Sequence, residues 1–265
     1  MNKLLIGRYL PGNSLLHRMD PRAKLSACML LFIVIIFLAS GWLAYALLWG
    51  FTWIVIQLTG VTVRIYLRGV RPLLYLILFT TTMQILFTAG GTIYVDWGLI
   101  TISSYGIVYG LALLSRFMML IFISTAITLT TKPVDLSDGI QALLRPLAFF
   151  KLPVDDLSLM LSISLRFIPT ILDETQKVID AQRARGAAIG EGNIFQQMKT
   201  LVPILLPLFA SSLQRAEDLA NGMEVRGYES GAKRSSFRQF SWKRIDTIGI
   251  AIILLFTAIL FPISI

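Results

Sequence analysis

The sequence predicts an all-α integral membrane protein with about five transmembrane helices and a cytoplasmic domain of two long crossed helices. Hydrophobic residues make up 55% of the 265 positions and charged ones only 15%, with a mean hydropathy of +0.72. That is too little charge to cover the surface of a soluble domain. The apolar runs also have the roughly 17–25 residues that a helix needs to cross a bilayer core. Charge is concentrated in one block, since residues 131–245 hold 15 basic and 12 acidic side chains of the 24 and 15 in the whole chain. Elsewhere basic residues bracket apolar runs, so the net charge of +9 reads as membrane orientation and not as nucleic-acid binding.

Lys3, Arg8, Arg18, Arg22 and Lys24 stand against the single acid Asp20 at the N-terminus, which places that end inside. Asn13 to Pro21 reads as a short interfacial approach. The first span is expected over Leu25 to Ala39 and the second over Trp42 to Leu58, with Ser40-Gly41 as a tight turn at the membrane surface. Arg64, Arg68 and Arg71 then mark a cytoplasmic loop. Arg71-Pro72 opens the third span, to about Ala89, with proline at a tolerated first-turn position. Thr80, Thr81, Thr82, Thr88 and Gln84 make this helix polar enough to face protein. Gly90 to Ser104 is the outside loop, and Tyr105 to Leu129 the fourth span. Arg116 lies in the middle of that span, where an arginine costs at least ~2.5 kcal/mol on insertion scales. It must snorkel, line a polar seam or meet a partner, and it is the candidate intramembrane contact. Ile248 to Ile263 forms the last span. The expected domains are 1–130 with four spans, 131–245 in the cytoplasm and 246–265 as the final span.

Within the cytoplasmic block, Val134 to Phe150 predicts an amphipathic helix along the inner membrane surface. Asp135, Asp138 and Arg145 take its polar positions and Leu136, Ile140, Leu143 and Leu147 its apolar stripe, before Lys151-Leu152-Pro153 breaks it. A first long helix is expected over Val154 to Arg185, kinked by Pro169. After a turn at Ala187 to Gly192, a second runs from Asn193 to Arg226, bent by Pro203 and Pro207. Both finish on arginine followed by glycine, Ala184-Arg185-Gly186 and Val225-Arg226-Gly227, 41 residues apart between the arginines. Glycine past a helix end can take the left-handed conformation that stops it, and arginine there meets the negative end of the helix dipole. Arginine is also suited to anchoring an interface, with a planar five-donor head on a long stem.

The chain has no phosphate-cradling Gly-x-x-x-x-Gly-Lys-Ser/Thr run, no His-Glu-x-x-His and no Gly-x-Ser-x-Gly, so the common hydrolytic chemistries have no framework. Cys28 and His17 are each the only residue of their kind. Asp155-Asp156 and Asp173-Glu174 are adjacent pairs, and adjacent helical residues point apart. The reading is a non-catalytic membrane scaffold with a specialised cytoplasmic surface, alternatives being an assembly factor or an independent carrier.

In the contexts just quoted, and most specifically in Met223-Glu224-Val225-Arg226-Gly227-Tyr228, the two Arg-Gly ends resemble the paired Ala-Arg-Gly motifs of the transmembrane T subunit of energy-coupling factor transporters, the EcfT family. Val225 stands where the motif has alanine. The resemblance covers nearly the whole chain and implies a non-catalytic subunit of an importer in the cell membrane. Two ATP-binding-cassette ATPases, of EcfA and EcfA-prime type, would use ATP and Mg2+, and a membrane-embedded substrate-binding S subunit would carry a vitamin or transition-metal ion. Ala184, Arg185, Gly186, Val225, Arg226 and Gly227 would form the ATPase-coupling tips. Leu165, Leu213 and Ala216 would help hold the helices or the S subunit. No cofactor is expected on this chain itself.

Overall fold

The structure is a computed structural model that describes residues 9–97, 100–144, 154–187, 189–190, 193–229 and 241–264. The predicted positions Lys3, Arg8, Arg145, Leu147, the Lys151-Leu152-Pro153 break and most of the basic stretch after Glu229 lie outside the described residues. The chain divides into two compact units, Met1–Ile140 with Arg238–Ile265, and Gln141–Phe237.

Among the described residues, the first unit carries five helices long and apolar enough to cross a membrane, spanning Pro21–Leu38, Gly41–Thr59, Val63–Phe87, Ser104–Thr130 and Arg244–Ile263. The protein is therefore a multi-pass membrane protein. A single turn, α1 (Leu15–Arg18), precedes them. His17 is fully engaged there: Ser14 Oγ meets Nδ1 at 2.6 Å, and Nε2 donates to the Leu10 carbonyl at 2.9 Å.

Helix α2 (Pro21–Ile33) begins four residues earlier than hydropathy predicts, because Asp20-Pro21 is a start signal. Asp20 caps the Arg22 N–H at 2.9 Å, and Pro21 at the first helical position forfeits only an N–H that would be unpaired anyway. A π-helical segment (Val34–Leu38) continues it, and the chain turns at Ala39 into α3 (Gly41–Thr59). Gly60, at φ 67°, ends α3 in the left-handed conformation.

Helix α4 (Val63–Phe87) corrects two expectations. Arg64, Arg68 and Arg71 lie on its first turns and not in a loop, and Pro72 is interior. Pro72 is exposed, so its missing N–H leaves the Arg68 carbonyl open without burying a defect. Of the polar residues expected to face protein, Thr81 is buried, whereas Thr82 is exposed and Thr80 bonds back to Leu76 and Ile77 of its own helix. The outside segment is not a plain loop but an antiparallel hairpin, β1 (Ile93–Trp97) with β2 (Ile100–Ser103).

Helix α5 (Ser104–Thr130) is capped by Ser103, whose Oγ accepts from the Gly106 N–H at 3.0 Å and donates to the Thr88 carbonyl at 2.6 Å. Against α4 it presents Gly106-x-x-x-Gly110. A Cβ at these positions would stand 2.8 Å from the Ile85 carbonyl oxygen and 2.5 Å from Ile85 Cγ1, the close approach that small residues permit between membrane helices. Its last carbonyls have no intrahelical donors. Leu10 N–H and Lys24 Nζ supply them, to Leu129 and Thr130, each at 3.0 Å.

Helix α6 (Pro133–Leu144) falls where the amphipathic segment is expected. Ser137 and Gly139 are buried, with Gly139 against Leu25 and Pro21, while Ile140 and Leu143 stay exposed. Close contact with the start of α2 leaves room only for small side chains, and of the predicted apolar stripe Leu136 is half-buried while Ile140 and Leu143 are uncovered by protein. The last span, α9 (Arg244–Ser264), starts before Ile248 and buries Asp246 completely. The Asp246 carboxylate accepts the Asp20 and Lys243 backbone N–H groups, both at 2.8 Å, fastening the last span to the first. Lys24, buried in the same unit, donates to the Thr130 carbonyl and, at 3.3 Å, to Thr131 Oγ1.

Candidate functional site

The second unit is built on α7 (Val154–Ala184) and α8 (Ile194–Val225). They pack antiparallel: Phe167 lies against Arg215, Glu174 against Ser211 and Arg215, and Gln182 against Pro203, so rising numbers on one helix meet falling numbers on the other. Glu174 is the clasp. Its carboxylate accepts from Ser211 Oγ and, at 3.0 Å, from Arg215 Nη2, and the Arg215 guanidinium lies 5.6 Å from the Phe167 ring centre. Glu174 and Arg215 are each about a third exposed, so the ion pair adds under ~1 kcal/mol and serves mainly to fix register.

Pro207 has no N–H to offer the Pro203 carbonyl four residues earlier. Gln182 Nε2 donates to that carbonyl instead, at 3.3 Å. This contact and the Glu174 clasp escape a reading by motif, although the Pro203, Pro207 spacing alone signals an orphaned carbonyl.

Both helices end in the same hydrogen-bonded motif. At the first, Gly186 N–H donates to Arg183 O at 2.9 Å and Ala187 N–H to Gln182 O at 3.0 Å; at the second, Gly227 N–H donates to Glu224 O at 2.9 Å and Tyr228 N–H to Met223 O at 3.0 Å. These paired bonds define the Schellman cap, with the glycine left-handed at φ 85° and 72°. Arg185 and Arg226 are the cap residues themselves, one position beyond the last helical residue. Both arginines are exposed, as are Ala184 and Val225, and no atom comes within 4 Å of a Cβ built on either glycine.

The antiparallel packing keeps the two tips apart. Counting from the Glu174–Ser211 contact, Arg185 lies 11 residues and Arg226 15 residues along opposite directions, which at 1.5 Å per residue sets them about 40 Å apart. Exposed apolar side chains stand along both helices, among them Met160 and Leu172 on α7 and Leu206 and Phe209 on α8. Leu213 and Ala216 are exposed and Leu165 is half-buried.

Arg116 belongs to the first unit and is not part of this arrangement. Its Nη2 donates to the Ala39 carbonyl at 2.7 Å, at the end of the π-helical segment where no backbone donor remains. Next to it, Trp49 Nε1 donates to Ser115 Oγ at 2.6 Å.

Against known proteins, the CbiQ family, described as cobalt transport protein, matches residues 12–237. The energy-coupling factor transporter transmembrane protein EcfT 1 of Listeria monocytogenes is 52% identical over 258 residues, 97% of each chain. The corresponding EcfT of Lacticaseibacillus paracasei is 47% identical over 98% of each chain, and that of Staphylococcus aureus 45% identical over 98% of this chain and 97% of its own.

Proposed function

The chain belongs to the CbiQ family and, within it, to the energy-coupling factor transporter transmembrane proteins, EcfT, and from that membership we infer that it is the transmembrane coupling subunit of an ATP-driven importer. It is non-catalytic. Two ATP-binding-cassette ATPases hydrolyse ATP with Mg2+, and a membrane-embedded S subunit binds the vitamin or transition-metal ion. Residues 131–245 act as the cytoplasmic coupling domain between the membrane parts 1–130 and 246–265.

The observation that carries the residue assignment is the pair of identical Schellman caps, each displaying an exposed arginine, about 40 Å apart on one antiparallel helix pair. Such a separation suits two similar docking grooves on two partners better than one. Arg185 enters one ATPase and Arg226 the other. The flanking Ala184 and Val225 pack at each rim, and Gly186 and Gly227 turn the chain away so that the groove can close. When the ATPases close on ATP, the two ends are drawn together. The helices pivot where Glu174 holds Ser211 and Arg215, and the apolar face bearing Leu213, an exposed patch of the kind that marks partner sites, passes the movement to the S subunit.

Affinity purification from native membranes tests this directly. The wild-type chain should retain two ATPases and a small hydrophobic protein. The Arg185→Ala/Arg226→Ala double variant should lose the ATPases and coupled uptake while its membrane insertion stays intact. Unchanged uptake by the double variant would remove the coupling role from these residues.

A further inference from the structure

A cavity of about 510 Å³ opens on the flank of the membrane unit between α2, α4 and α5. Its wall changes character with depth. Towards the middle of the spans it is lined by apolar side chains alone, among them Leu73, Phe117 and Leu120, and towards the cytoplasmic ends Arg68, Ser124, Thr125 and Thr128 join the apolar Ile65 and Leu129. From Leu129 to Phe117 it follows α5 for 12 residues, about 18 Å of rise, with the polar Ser124, Thr125 and Thr128 nearer the cytoplasmic ends and Phe117, Leu120 and Ile121 deeper. Arg64, Arg68 and Arg71 recur at i, i+4 and i+7 on α4, which aligns them on one face, and Arg68 of that face lines the opening. All three are exposed, and none has a carboxylate partner among the described residues.

We propose that this groove is a binding site for an anionic phospholipid of the inner leaflet, one acyl chain lying against Leu73, Phe117 and Leu120 and the phosphate headgroup held by the Arg64–Arg68–Arg71 ridge. The polarity gradient runs in the order of a lipid's own, from headgroup to chain. Its volume of about 510 Å³ accommodates an extended acyl chain. Guanidinium groups take phosphate in bidentate pairs. The inference rests on the membrane placement of the spans and on none of the coupling assignments. It also goes beyond topology, since charges that only orient a helix need no groove and no headgroup preference.

The test uses the full chain reconstituted in vesicles of mixed phosphatidylglycerol and phosphatidylcholine, then transferred to detergent, with retained lipid read by native mass spectrometry. Wild type should keep phosphatidylglycerol in preference to phosphatidylcholine. Arg64→Gln, Arg68→Gln and Arg71→Gln should each weaken that retention about fivefold, the worth of one cation near an anionic surface. Gly69→Leu fills the groove and leaves the arginines in place. A Cβ there meets Thr125 Oγ1 at an ordinary 3.5 Å, so the helices need not move, and retention should fall again. Equal retention of both lipids overturns the proposal. So does full retention in Gly69→Leu, or displacement by soluble glycerol phosphate as strong as by the lipid, since either would mean bare arginines binding an anion. A photoreactive group at Thr125 that captures a protein in native membranes, and not lipid, overturns it too.

Discussion

Arg116 illustrates how a cation is kept among apolar helices without a carboxylate. The turn after the π-helical segment leaves the Ala39 carbonyl without a backbone donor, and the guanidinium reaches it across the α2–α5 boundary. Arg116→Leu strands that carbonyl, so thermal unfolding in detergent should show a loss of about 1–3 kcal/mol. An unchanged midpoint would mean that water or lipid headgroups serve the carbonyl equally well. Asp246 works in the opposite sense, as an acceptor. Asp246→Ala deprives the buried Asp20 N–H of its partner, at a cost of about 1–3 kcal/mol for that donor alone. Asp246→Asn keeps a side-chain oxygen there and should lose less, a difference the same melts can read.

At the level of elements, the caps and the close crossings make the sharpest predictions. Gly186→Ala and Gly227→Ala each force a Cβ into the left-handed region, costing about 1–2 kcal/mol with no steric neighbour to blame. Hydrogen exchange should accelerate over residues 182–187 or 223–228, and ATPase capture should weaken although both arginines are present. Gly110→Leu drives a side chain into Ile85, so α4 and α5 should splay at their outer ends and the unfolding midpoint should drop.

The elements also show what a linear reading reaches. Apolar length locates all five spans, and Arg-Gly locates both caps, because span length and the positive φ of glycine are local properties. The bonds of Asp20 to Asp246 and of Lys24 to Thr130 join residues more than a hundred positions apart, and no local pattern encodes them. Pro72 looks like a helix start because proline favours the first turn, yet the Gly60–Thr62 turn lets the helix begin at Val63. The hairpin at 93–103 is hidden by its brevity. The matching sequence contexts of the two tips say nothing of where they stand relative to each other. Only the pairing of Glu174 with Ser211 and of Gln182 with Pro203 reveals that they face opposite ways.

Across the membrane unit as a whole, the inner ends of the helices share one level, tied by Lys24 to Thr130, Tyr66 to Thr59 and Asp20 to Asp246. The outer ends do not. The span Pro21–Leu38 and α3 have 18 and 19 residues, whereas α4 and α5 have 25 and 27, so at 1.5 Å per residue the hairpin-topped pair rises about 10 Å higher. A bilayer of uniform thickness cannot match both sides, and hydrophobic mismatch costs fractions of a kcal/mol per Å. Lipid must thin beside α2 and α3 or the bundle must tilt to share the difference, so the protein rests in the membrane under a lopsided elastic load. Reconstitution in lipids of graded acyl length should then give an optimum in stability, with thicker bilayers penalising the short side first. A stability that is flat across that series would mean the step is absorbed without deforming the bilayer.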